Sequence, residues 1–219
     1  MLQPGVTIMK LNRVFGAGIL VAVAAFAQAD TLKFKGLDAN KSQNVTIKYD
    51  GASLTVGAGL ARLSLNGGPD HFGLCVDLDH WNTNGLTYDV NVKPIAQQGP
   101  NATRAAYLLN TFSSTVTSKA QGAALQLAVW DVIYDNGDGF SKGRFRTSSV
   151  STDALLTANT YLQQSVSQTS AAAVWYEAKN HGKYNKSNQD FMAAAVPEPA
   201  SMIALGAGLL ALARRRRRA

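Results

Sequence analysis

The stretch Ser118-Lys-Ala-Gln-Gly-Ala-Ala-Leu-Gln-Leu-Ala-Val-Trp-Asp-Val-Ile-Tyr-Asp135 decides the fold. Ser118 with Gln121 three residues on is a capping-box start, and the run behind it has helical periodicity. From Gln126, the residues at helical spacing are Val129, Trp130 and Ile133, all apolar. The polar residues Gln121, Asp131 and Asp135 are expected to form a separate stripe. Gln126 therefore sits on the face expected to be buried. A primary amide placed there needs hydrogen-bond partners or a chemical change that removes its polarity.

The segments before this helix read as strands. Thr31–Lys35 and Val45–Tyr49 alternate apolar with polar residues, and Asp50-Gly51 is a turn leading into Ala52–Val56. Ala58–Leu65 is a further strand, closed by Asn66-Gly67-Gly68-Pro69. His71–Leu78 follows, with Cys75 near its centre, and then Thr87–Val92. Pro94–Pro100 reads as a loop. Asn101 reads as the N-cap of a helix with Ala105, Leu108, Leu109, Phe112 and Val116 on one face. Asp135-Asn-Gly-Asp-Gly139 is a helix stop and turn. Ser151 or Thr152 caps a third helical region, with Leu155, Leu162 and Val166 on one face, and helix is expected again over Ala171–Lys179. Gln189–Ala193 reads as a last strand. The expected class is α+β, with an antiparallel β-sandwich or partial barrel from the N-terminal half packed with a helical subdomain.

The ends of the chain are addresses. Lys10 and Arg13, the apolar run Val14–Phe26 and Ala27-Gln28-Ala29 form a secretory signal, so the mature chain is expected to begin at Asp30. Met1 and Met9 both remain as initiators. The apolar run is too short for a membrane anchor. At the other end, Val196-Pro-Glu-Pro199 breaks structure, Met202–Ala213 is apolar, and Arg214–Arg218 is a basic cluster. That basic cluster would be held on the cytoplasmic side of a membrane. The last 24 residues resemble the PEP-CTERM sorting signal. The resemblance implies export across the inner membrane and periplasm of a Gram-negative bacterium that makes exopolysaccharide. It also implies processing by an exosortase, with only transient membrane contact through the terminal segments. The expected division is a signal peptide over 1–29, one domain over 30–195 and a sorting tail over 196–219. The formal net charge of +7 belongs to these ends: residues 30–195 hold 14 basic and 13 acidic side chains, a net of +1. A nucleic-acid partner is excluded on that distribution.

An exported chain with a single cysteine forms no internal disulfide, so Cys75 is buried, reactive or paired elsewhere. Cys75 lies in Phe72-Gly-Leu-Cys-Val-Asp-Leu-Asp79, and Gln126 in Leu125-Gln-Leu-Ala-Val-Trp130. Together they resemble the thioester domains of bacterial surface adhesins, whose signature is an early strand cysteine and a later T-Q-x-A motif. Leu125 stands where that motif has Thr. The resemblance implies an internal thioester between Cys75 and Gln126, shielded by apolar walls such as Trp130. Opening by an extracellular amine or hydroxyl, on a surface or a polysaccharide, would leave the Gln126 acyl group covalently attached. The implied role is single-turnover attachment of a cell-surface or biofilm-matrix protein, not enzymatic turnover, with no cofactor and no metal. Two alternatives stay open. One is a structural exopolysaccharide-matrix protein with an unreacted Cys–Gln pair. The other is a secreted metal-dependent hydrolase built on His71, Asp77, Asp79 and His80. Asp135–Gly139 lacks EF-hand spacing and reads as a turn.

Overall fold

The computed structural model describes residues 29–181 and 187–195, with Gly208 and Arg214 as isolated positions. The expected signal peptide apart from Ala29, and the sorting tail apart from those two residues, lie outside the described residues. Seven strands and three α-helices are described: β1 (Asp30–Tyr49), β2 (Ala52–Leu65), β3 (His71–Cys75), β4 (Thr87–Pro94), α1 (Pro100–Phe112), α2 (Lys119–Asp135), β5 (Phe145–Ser149), α3 (Thr152–Gln164), β6 (Ala173–Ala178) and β7 (Phe191–Ala194). The class is α+β.

Every strand pair is antiparallel, and the pairing closes on itself. The sheet order is β2-β3-β7-β6-β4-β1-β5, with β2 also paired to β1. The N-terminal part of β1 meets β2 on one edge and β4 on the other, so six strands form a closed ring. Closure leaves no open edge along that part of the chain. The later half of β1 leaves the ring as a long hairpin with β2, and β5 pairs with its far end through Tyr49↔Phe145. The two pairs of strands read from sequence, Thr31–Lys35 with Val45–Tyr49 and Ala52–Val56 with Ala58–Leu65, are thus continuous strands. Irregularities between Phe34 and Ser42 carry β1 through the gap without ending the pairing.

Helix α2 is the core of the molecule. Ser118 caps it, its side chain accepting from the Gln121 N–H at 3.2 Å. The returning Gln121 side chain accepts from the Thr117 N–H at 2.8 Å, one residue earlier than in a standard capping box. Asn136 ends the helix in the left-handed conformation, φ 60°. Every residue from Gly122 to Val132 is buried, as expected of a helix apolar on nearly all sides. This corrects the expected polar stripe: Asp131 is fully buried. The helix packs against β1, β2, α1 and α3. Its approach to β1 is close enough to require Gly122, where a Cβ would lie 1.9 Å from the Lys41 carbonyl oxygen.

The helical half differs from expectation in four places. Helix α1 starts with Pro100 at its first turn behind Gly99, so Asn101 is not the cap; its amide donates to Asn136 Oδ1. The buried face of α3 is Ala154, Ala158, Tyr161 and Leu162, while Val166 lies past the helix end and is exposed. Ala171–Lys179 does not return to helix. Its Val-Trp-Tyr centre fits a pleated surface, and β6 fills the space between β4 and β7. Strand β5 had no alternating pattern to reveal it, since only Phe145 is buried.

Candidate functional site

Cys75 is the last residue of β3, not its centre. Val76 N–H donates to the Asp190 carbonyl across the β3–β7 boundary. Antiparallel bonding alternates, so the Cys75 backbone groups point to the other side, toward β2. The β2–β3 pairing stops at Gly73. Gln126 takes up the ladder from there. Its Oε1 accepts from the Cys75 N–H at 3.0 Å, and its Nε2 donates to the Cys75 carbonyl at 2.7 Å. The side-chain amide thus stands in for a missing strand residue, which explains how an amide only 1% exposed is tolerated in the core.

The sulfur lies beside the next turn. Its thiol donates to the Asp77 carbonyl at 3.0 Å, and the Asp77 N–H donates back to the sulfur at 3.4 Å. Burial pushes the thiol pKa up to about 12, with the Asp77 backbone bond acting the other way. The group is therefore a protonated thiol at rest, not a thiolate. The Trp130 indole N–H finds no acceptor of proper hydrogen-bond geometry, yet it lies near enough to the sulfur to favour its anion. Tyr134 fixes the strand end, accepting from the Leu78 N–H at 2.8 Å and donating to the Val76 carbonyl at 3.3 Å.

A pocket of about 650 Å³ reaches this pair. Cys75, Gln126 and Trp130 lie at its buried end, Phe34 and Phe191 contribute apolar wall, and Trp81, 57% exposed, stands at its open end. The walls mix Phe34, Leu37 and Phe191 with the polar Asp79, His80, Asn82 and Gln189, and the pocket gives access to the pair.

The polar residues near Cys75 divide differently from their order in sequence. Asp77 and His80 are bonded, with His80 Nδ1 2.7 Å from Asp77 Oδ2. Asp79 instead accepts from the Tyr49 hydroxyl, at 3.3 Å. His71 lies away from them, bonded to Tyr176 at 3.1 Å. The four-residue set of the hydrolase alternative is therefore not assembled. His181, stacked on His80 with ring centroids 4.1 Å apart, takes the third place. Nothing around His181 in sequence signalled this, because β6 and β7 bring it back to Asp77 from the far end of the domain.

Comparison with known families gives one match, and it lies at the C-terminus. Residues 195–218 carry the PEP-CTERM protein-sorting motif. The tail marks the chain for export and exosortase recognition in a Gram-negative bacterium, to the surface or beyond. Among the described residues no helix is long and apolar enough to cross a membrane. No curated protein matches the sequence. Two solved structures are similar to the chain. One is the N-terminal domain of the Streptococcus pyogenes pilus tip adhesin Cpa, at 12% identity and a TM-score of 0.41, covering 64% of this chain and 85% of that one. The other is the thioester domain of the Staphylococcus aureus TIE protein, at 13% identity and a TM-score of 0.42, covering 76% of this chain and 78% of that one.

Proposed function

We propose that the chain is an exported surface or matrix protein whose Cys75 and Gln126 condense to an internal thioester, which an extracellular amine or hydroxyl then opens. The observation that carries this reading is the reciprocal pairing of the Gln126 amide with the Cys75 backbone at the buried end of the pocket. In the condensation, the Cys75 sulfur bonds to the Gln126 side-chain carbonyl carbon, the C–N bond breaks, and the thiol proton leaves with the nitrogen as ammonia. The sulfur must first turn away from the Asp77 carbonyl. The Cys75 N–H already on Oε1 is placed to stabilise the negative oxygen of the tetrahedral intermediate. Attack by an incoming amine or hydroxyl repeats the same geometry, with Cys75 as leaving group and the acyl link staying on Gln126. This is one covalent event per molecule, not turnover. In this reading the signal peptide is removed before Asp30, the thioester domain spans 30–195, and the tail over 196–219 is cut by the exosortase.

Freshly made mature protein is expected to weigh one ammonia less than its sequence. It is expected to incorporate methylamine at Gln126 with release of one thiol at Cys75. Cys75→Ala and Gln126→Ala each abolish uptake, with folding checked separately by circular dichroism. A wild-type protein with a free thiol and the full sequence mass assigns the chain instead to the structural-matrix reading. The present thiol–Asp77 hydrogen bond is compatible with that state.

A further inference from the structure

A second constellation lies beside the pocket. The ligand-capable atoms of Asp77, His80 and His181 all fall within 4.8 Å of one another. Asp77 is 8% exposed, and its carboxylate is held in place by the Asp79 N–H on Oδ1 at 2.9 Å and the Asp190 N–H on Oδ2 at 3.4 Å. His80 Nδ1 is 2.7 Å from Asp77 Oδ2, and His181 Nδ1 is 3.9 Å from the same oxygen. The two rings are stacked 19° from parallel, so their in-plane lone pairs do not meet as they stand, and a shared ion requires one ring to turn out of the stack. A second, partly buried carboxylate stands behind them: Asp190 Oδ1 is 3.9 Å from His181 Nε2. Trp175 Nε1 and the Ala178 N–H anchor Asp190 at 3.0 and 2.8 Å.

The residues after His80 are also tied to those just before β7. Asn82 Oδ1 accepts from the N–H groups of Asn188 and Gln189, and Trp81 forms a bridge with Ser187. The donor set is two imidazoles and one carboxylate, which suits a borderline ion and not calcium or magnesium.

We propose that Asp77, His80 and His181 bind a divalent ion of the zinc class, with Asp190 as the outer carboxylate that orients His181. Binding replaces the Asp77–His80 hydrogen bond and the 3.0 Å bond from His181 Nδ1–H to the Asn188 carbonyl, and an imidazole that ligates through Nδ1 carries its proton on Nε2. Three protein ligands leave a fourth position for water or an incoming donor atom. Because His80 and Trp81 line the pocket that reaches Cys75, the ion fixes the pocket's open end.

The test uses mature protein without a histidine tag. Zinc(II) is expected to be retained at one equivalent after dialysis against metal-free buffer. Cobalt(II) is expected to develop visible absorption that saturates at one equivalent. His80→Ala and His181→Ala each weaken cobalt binding by at least about tenfold, while His71→Ala leaves it unchanged. Because a loop variant can misfold, a measurement on wild-type protein stands beside these. In imidazole 15N spectra, zinc(II) shifts the signals of His80 and His181 together and leaves those of His71, the remaining histidine of the chain, in place. Failure to retain zinc, or shifts that spare His80 and His181, overturns the site and leaves a hydrogen-bonded His–Asp pair. Ammonia loss at Gln126 is read separately, so the thioester reading stands or falls on its own.

Discussion

Removing the Gln126 side chain tests whether it completes the β3 ladder. The comparison is best made in a Cys75→Ala background, where no thioester forms and the Cys75-position backbone bonds persist. Gln126→Ala then strips the partners from one N–H and one C=O at the end of β3, now held at 3.0 and 2.7 Å. Each buried group left unpaired costs about 1–3 kcal/mol, so the pair costs about 2–6 kcal/mol. Water entering from the adjoining pocket moves the result toward the lower end. For a domain of this size each kcal/mol lowers Tm by about 2–4 °C, so a drop of at least about 4 °C is expected. Urea unfolding and thermal melts of the two proteins measure it, with the exposed Gln164→Ala as a control expected to stay within about 0.5 kcal/mol. If Gln126→Ala unfolds with the same midpoint as its background, the amide is not a structural rung and its burial needs another explanation.

Three further predictions rest on separate features. Gly122→Ala places a Cβ 1.9 Å from the Lys41 carbonyl oxygen, where neither backbone can yield cheaply. Despite the better helix propensity of alanine, it is expected to destabilise by about 1–3 kcal/mol in urea titrations, and a neutral or stabilising result contradicts the close packing of α2 on β1. Burial raises the Asp131 pKa from 3.8 to about 6, against the pull of the Gly139 N–H. The folded state thus holds the proton more tightly than the unfolded one, and stability falls as pH rises from about 4 through 6, by about 2–3 kcal/mol. Asp131→Asn is expected to remove that part of the slope in stability measured from pH 4 to 8, and an unchanged slope refutes the assignment. In the native host the mature protein is expected to begin at Asp30 and to lack the Arg214–Arg218 peptide. Quantitative recovery of that peptide there argues against tail removal.

Much of this protein was legible from local pattern. The α2 helix, its Ser118 cap and its stop at Asn136 follow from spacing and turn chemistry, which act within a few residues. The Asp50-Gly51 hairpin and the tail motif are local in the same way. The sequence also singled out Gln126 as an amide on a buried face, because helical period alone put it among Val129, Trp130 and Ile133. What filled its hydrogen bonds was decided by tertiary structure. Only the end of the β2–β3 pairing at Gly73 leaves the Cys75 backbone open for Gln126. Asp131 shares that dependence: a charged residue reads as solvent-facing until β1, β2, α1 and α3 surround its helix. Strand β6 forms because β4 and β7 offer two edges to its Val-Trp-Tyr centre, a local strand signal that the flanking alanines hid in the sequence. His181 reaches Asp77 and His80 for the same reason. Periodicity and capping report forces along the chain; the buried pair and the histidine cluster arise between segments far apart, where sheet closure sets which groups meet.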